Sequence, residues 1–120
     1  MKILAFAAVV EAGTGFALIL GSASVVRLLL GAEVSEVGAL LARCFGISLL
    51  ALSVACWPSL RRAQSDSTAF RAMLAYNVLI ARYLAYLGTA RHRGGVLLWP
   101  GVGLHAVVAL GLVWTWRGKA

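Results

Sequence analysis

Four runs of apolar residues alternate with short polar stretches along this chain. The first, residues 3–30 (ILAFAAVVEAGTGFALILGSASVVRLLL), is nearly continuous. It is longer than the roughly 20 residues that one bilayer crossing needs. Its weak point is the cluster Gly21-Ser22-Ala23-Ser24. The pattern therefore predicts a span over about residues 3–22 and a short amphipathic or interfacial helix over 25–30, stopped by Gly31 as a C-cap. One long tilted helix is the alternative. Lys2 and the small residues near Ala23 give this run the outline of a signal peptide, but Glu11 in its middle sets it apart from one.

After the polar connection 32–36, with Ser35 as a plausible N-cap and Glu36 at the positive end of the helix dipole, a second span is expected over about 37–57. It closes on Trp57-Pro58, an interfacial aromatic before a helix breaker. Residues 59–67 (SLRRAQSDS) are the most hydrophilic stretch, and Asp66 or Ser67 can cap a third span over about 68–88. Residues 89–95 connect it to a fourth span over about 96–117, which has Pro100 near its start and Trp114 and Trp116 at its far interface. Short connections favour antiparallel neighbours. The expected fold is all-α: a polytopic membrane protein forming an up-down four-helix transmembrane bundle, with residues 1–120 as a single domain.

Composition narrows the class. Of 120 residues, 62% are hydrophobic and 12% charged, against roughly 45–50% apolar and about 25% charged in soluble domains. A water-soluble globule of this size lacks the polar residues to cover its core, and disorder requires the opposite bias. The net charge of +7, from 11 Lys and Arg against 4 Asp and Glu, falls mostly at segment ends. No basic stripe is interleaved with aromatics, so the charge points to the lipid bilayer and to membrane topology, with no nucleic acid expected. Lys2, Arg61, Arg62, Arg71, Arg117 and Lys119 collect on one side, whereas Arg27, Arg43, Arg91 and Arg93 on the other are partly offset by Glu33 and Glu36. The positive-inside rule then places both termini in the cytoplasm of a cell whose inner membrane the chain crosses. Cys44 and Cys56 lie in one apolar segment, about 18 Å apart along a helix. They can neither bridge nor share a metal there.

Ionisable side chains at mid-bilayer cost roughly 2.5–3.5 kcal/mol on insertion scales, which makes them the first functional candidates. Measured from the cytoplasmic end, Glu11 lies about 12 Å up the first helix, Asn77 about 13 Å up the third and His105 about 18 Å up the fourth. Arg43 and Arg82 come out near 21 Å. Tyr76, Tyr83 and Tyr86 can add hydroxyls. Facing inward together, Glu11, Asn77, His105, Arg43, Arg82 and Tyr83 would line a polar pocket for an anionic or quinone-like ligand, or relay a proton between Glu11 and His105. The alternative is structural: Glu11 paired with Arg43 or Arg82, Asn77 and His105 as interhelical hydrogen-bond glue, and the arginines snorkelling to the outer headgroups. Asn77 and Arg82 are about 140° apart around their helix, so one of them must be peripheral.

Small residues at three- and four-residue spacing, such as Ala8, Ala12 and Gly15 or Ala42 and Gly46, permit close helix packing or a homo-oligomer. The chain carries no Walker loop, HExxH, CxxC or GxSxG motif. No catalytic residue, metal site or cofactor is assigned, and an enzyme is not expected. His105 as a haem ligand would lack a second membrane histidine, since His92 sits in a connection.

Val10-Glu11-Ala12-Gly13-Thr14 resembles the first-helix segment of small multidrug-resistance transporters, whose membrane glutamate exchanges protons for cationic drugs. Trp99-Pro100-Gly101-Val102-Gly103 resembles that family's third-helix tryptophan–glycine motif, but here it lies in the fourth span. The layout as a whole is similar to uncharacterised small four-span bacterial membrane proteins of the DoxX-like group. The likeness rests on Glu11 and Gly15, Leu28-Leu29-Leu30-Gly31, Arg43 with Gly46, Tyr76-Asn77, Tyr83-Leu84-Ala85-Tyr86-Leu87 and Leu98-Trp99-Pro100 with His105. The expected function is a non-enzymatic binding or accessory component of a membrane complex, with a membrane-protein partner or a second copy. The alternatives are a small proton-linked transporter using Glu11 and His105, and a redox accessory subunit contacting quinone or haem.

Overall fold

The computed structural model describes residues 2–57 and 68–118. Four helices account for nearly all of them: α1 (Lys2–Leu30), α2 (Glu36–Ala55), α3 (Thr68–Thr89) and α4 (Leu98–Arg117). The first apolar run forms one helix with a break inside it: Gly21 leaves helical geometry (φ −139°, ψ 49°), yet the helix resumes and continues to Leu30. The separate piece expected over 25–30 is thus the upper arm of a kinked α1. A kink at a Gly/Ser pair has an evident cause, since glycine tolerates the excursion and serine competes for backbone hydrogen bonds. Gly31 ends the helix with φ +71°, its amide donating to the Arg27 carbonyl. Left-handed geometry at this position favours glycine.

Ser35 caps α2 through its hydroxyl, which accepts from the Gly38 amide at 3.0 Å. The expected capping of α3 by Asp66 or Ser67 lies outside the described residues. In α4, Pro100 occupies the first turn, where an amide hydrogen has no helical partner in any case.

The helices run up-down-up-down as two hairpins. α1 packs most closely on α2, and α3 on α4; α1 and α4 join the pairs. The α1–α2 seam is a backbone contact. A Cβ added at Gly15 would come within 2.7 Å of the Gly46 carbonyl oxygen, and the reverse substitution would meet Gly15 at the same distance. Ser53 adds a cross-helix hydrogen bond to the Ala8 carbonyl at 2.8 Å. Leu4, Ala7, Ala8, Cys56, Phe70, Met73, Val108 and Leu112 form one apolar core at the end where α2 closes and α3 begins, drawing on α1, α3, α4 and the C-cap of α2. At the opposite end the amides of Gly95 and Leu97 donate to the carbonyls of Leu29 and Leu28, fastening the second hairpin to the terminus of α1.

Helices α1, α2 and α4 are long and apolar enough to cross a membrane. α3 is less apolar, carrying Arg71, Asn77, Arg82 and three tyrosines within 22 residues. Large apolar side chains such as Leu20, Val37, Leu41, Leu79, Val107 and Leu110 point outward.

Candidate functional site

Just beyond the apolar core, three helices each contribute one polar side chain to the interior. Glu11 of α1 and Asn77 of α3 are fully buried, and His105 of α4 is 8% exposed. Each follows from helix periodicity. Glu11 lies one turn from the buried Ala7 and Gly15, Asn77 one turn from Met73, and His105 on the face of Leu98, Val108 and Leu112. A polar residue on a packed stripe is carried inward with its neighbours.

The bonds fix the chemistry of the imidazole. The Asn77 amide nitrogen donates to the Met73 carbonyl at 2.9 Å, the preceding-turn bond open to a short polar side chain within a helix. Its oxygen is left facing His105 Nδ1 at 2.8 Å. A carbonyl oxygen only accepts, so Nδ1 carries the hydrogen and donates, and protonation of the ring is confined to Nε2. This is an assignment from the hydrogen-bond network. Tyr76 sets its ring edge-to-face against His105, with centroids 5.7 Å apart, and Phe45 of α2 packs on the other side of Tyr76 at 6.4 Å. Such edge-to-face stacking restrains the ring's rotation.

Glu11 is the unsatisfied member. Its Oε1 lies 3.7 Å from His105 Nδ1, beyond hydrogen-bond range. The Tyr76 phenol lies close enough to act on the same carboxyl group. Neither carboxyl oxygen, however, reaches a hydrogen-bond partner among the described residues. Buried polar atoms in folded proteins are almost always bonded, and an exception points to an ordered water, an ion, a ligand or a catalytic role.

The other three expected site residues do not join this cluster. Arg43 and Arg82 are exposed, and Tyr83 is 58% exposed. Arg82 is the peripheral member of the 140° pair with Asn77. Arg43 is exposed although Gly46, one turn away, is buried against α1. Tyr83 sits two turns above Tyr76 on the same flank of α3, above the Phe45 contact, and stacks on Tyr86 at 6.2 Å. Arg43 and Arg82 therefore do not complete a pocket with the carboxyl group and the imidazole: among the described residues no arginine pairs with Glu11, and its neighbours are His105, Asn77 and Tyr76. Among the described residues the remaining ion pair is Arg27–Glu33 at 3.0 Å, on the surface. Tyr76, which the sequence offers only as a further hydroxyl, is the side chain that does join the cluster. The available signal was its place beside Asn77, which puts it in the same layer on the α2-facing flank.

Two cross-helix features were not anticipated, the Ser53–Ala8 bond and the bond from the Cys56 thiol to the Ala69 carbonyl at 3.2 Å. His92, in the connection with φ 49°, is exposed and does not share a site with His105. No group of three or more His, Cys, Asp or Glu side chains among the described residues could hold a metal ion. Comparison of the chain with protein-family models, with curated proteins and with solved structures finds no match.

Proposed function

We propose that this chain is a small integral protein of the inner membrane, crossing it four times with both termini in the cytoplasm. In this reading it acts as a non-enzymatic binding component whose binding centre is the Glu11–His105–Asn77 cluster. The observation that carries the proposal is the Glu11 carboxyl group, buried with neither oxygen hydrogen-bonded among the described residues, beside an imidazole whose Nδ1 already donates to Asn77. The long dimension of 44 Å supports the membrane part, since a bilayer with its headgroups is roughly 40–45 Å thick. The likeness to DoxX-like four-span proteins in layout supports it too.

The chemistry of the centre is that of one exchangeable proton. A neutral carboxylic acid beside a neutral imidazole, and a carboxylate beside an imidazolium protonated at Nε2, both carry zero net charge. A proton on Glu11 or on His105 Nε2 gives the same buried net charge, whereas removing it leaves an uncompensated anion in an apolar interior. The cluster therefore holds a proton or exchanges it for a cationic group of a ligand. That exchange is the elementary step of the proton-linked transport alternative.

Infrared difference spectra of the reconstituted protein between acid and alkaline pH test this. The expected result is a protonated-carboxyl C=O band that vanishes in Glu11→Gln and shifts in His105→Gln. A band set unaffected by Glu11→Gln overturns the proposal.

The exposed Arg43 and Arg82 favour a second role, as an accessory subunit. Each lies about 10 Å inside an end of its helix and is without an ion pair among the described residues. An outward guanidinium at that depth is stabilised by snorkelling or by an acidic group of a membrane partner.

A further inference from the structure

Away from the cluster, the outer flank of α3 and the last turn of α4 border a cavity of about 480 Å³ that opens onto the surface. Its walls are Leu74, Ala75, Val78 and Leu79 along α3 and Trp116 from α4, with Arg71 at one end. The buried Phe70 ring forms part of its lining. From Arg71 to Leu79 the cavity runs about 12 Å along the helix. The apolar walls and the single cation are thus segregated along its length.

The cationic end has a definite place in the molecule. Arg71 lies in the first turn of α3, beside the hydrophilic 59–67 stretch, and Trp116 is in the last turn of α4, followed by Arg117. These ends meet on the side that also collects Lys2, Arg61, Arg62 and Lys119 in the sequence. Tryptophan at a membrane boundary sits at headgroup level, and a guanidinium there binds phosphate oxygens in a bidentate fork.

The geometry points to a binding site for an anionic phospholipid of the cytoplasmic leaflet. One acyl chain lies along Leu74, Ala75, Val78 and Leu79, and the phosphate sits on Arg71 beside Trp116. The inference rests on the membrane orientation proposed above. A second copy of the chain fits this surface less well. A two-fold contact through it about the membrane normal would set Arg71 level with Arg71, and among the described residues no carboxylate lines the cavity to separate the charges. A lipid phosphate supplies that counter-charge.

Native mass spectrometry of the delipidated full chain, titrated with phosphatidylglycerol or phosphatidylcholine of identical acyl chains, tests the site. The expected preference for phosphatidylglycerol is about fivefold, the contribution of one basic residue near an anionic headgroup. Arg71→Gln removes the preference. Ala75→Phe, which fills the cavity and leaves the cation in place, weakens both lipids. Arg82→Gln, on the same flank but outside the cavity, leaves the preference intact. Equal affinity of the wild-type chain for the two lipids overturns the site, as does equal loss in Arg82→Gln, which marks diffuse attraction to basic charge. Lipid-free dimers that form through Trp116 also overturn it, in favour of a second copy. Flotation with phosphatidylcholine vesicles separates the two levels of inference. Failure to float overturns the membrane reading itself, whereas flotation without headgroup preference overturns only the lipid site.

Discussion

The interior cluster and the outer arginines occupy neighbouring heights in one bundle, and their surroundings are opposite. Asn77 and Arg82 are five residues apart on α3. The first is fully buried with both ends of its amide bonded, and the second is exposed without an ion pair among the described residues. Tyr76 and Tyr83 share a flank and differ in height, one against His105 and Phe45 and the other two turns above, beside Tyr86. Height separates the two tyrosines, whereas for Asn77 and Arg82 rotation about the axis decides which of them meets the interior. The interior keeps a carboxyl group and an imidazole whose charges can cancel, and the arginines stay where lipid headgroups, water or a partner can stabilise them.

The sharpest way to break this contrast is Asn77→Leu. It strips the acceptor from His105 Nδ1 and leaves that buried N–H unpaired. The expected loss is about 1–3 kcal/mol in detergent unfolding, above the roughly 0.6 kcal/mol average for hydrogen bonds between membrane helices. Nitrogen NMR of the imidazole should then show the Nδ1–H form no longer fixed. A wild-type spectrum already mixed between the two tautomers would refute the assignment.

A smaller effect is expected from the tyrosine pair. Tyr76→Phe keeps the ring against His105 and removes the hydroxyl that acts on Glu11, so it should shift the Glu11-dependent infrared band and lower stability by about 0.5–1 kcal/mol. Tyr83→Phe should do neither. Identical behaviour of the two variants would erase the distinction between the inner and outer layers.

The smallest effect belongs to the arginines. Arg43→Leu and Arg82→Leu should leave the isolated protein within about 0.5 kcal/mol of wild type, as exposed substitutions generally do. In native membranes the accessory role predicts that the same variants release a partner that co-purifies stoichiometrically with wild type. Losses of several kcal/mol in the purified protein would instead mean that the arginines hold the bundle together.

Much of this was legible before the fold was known. Ser35 and Gly31 marked helix ends because their side-chain and backbone chemistry acts locally, and the Gly21–Ser24 cluster located the break in α1. The rise per residue was enough to set Glu11, Asn77 and His105 in one layer. Rotation was not legible. Helices with apolar residues all round have little polar-to-apolar asymmetry from which an inward face can be read, so Arg43 could not be told from Gly46 by pattern alone. The Tyr76–His105 contact and the bond from Ser53 to Ala8 depend on that same rotation, and on a register that only packing sets.

The amides of Gly95 and Leu97 that receive the end of α1 have a mechanical consequence. A Cβ on Gly95 would overlap the Leu28 carbonyl, so the chain there is stitched main chain to main chain, with no side-chain spacer to give slack. With the shared apolar core clamping the opposite end, the two hairpins form a frame pinned top and bottom. Any breathing that admits a proton or ligand to Glu11 must bow the middle of the frame while both its ends stay shut.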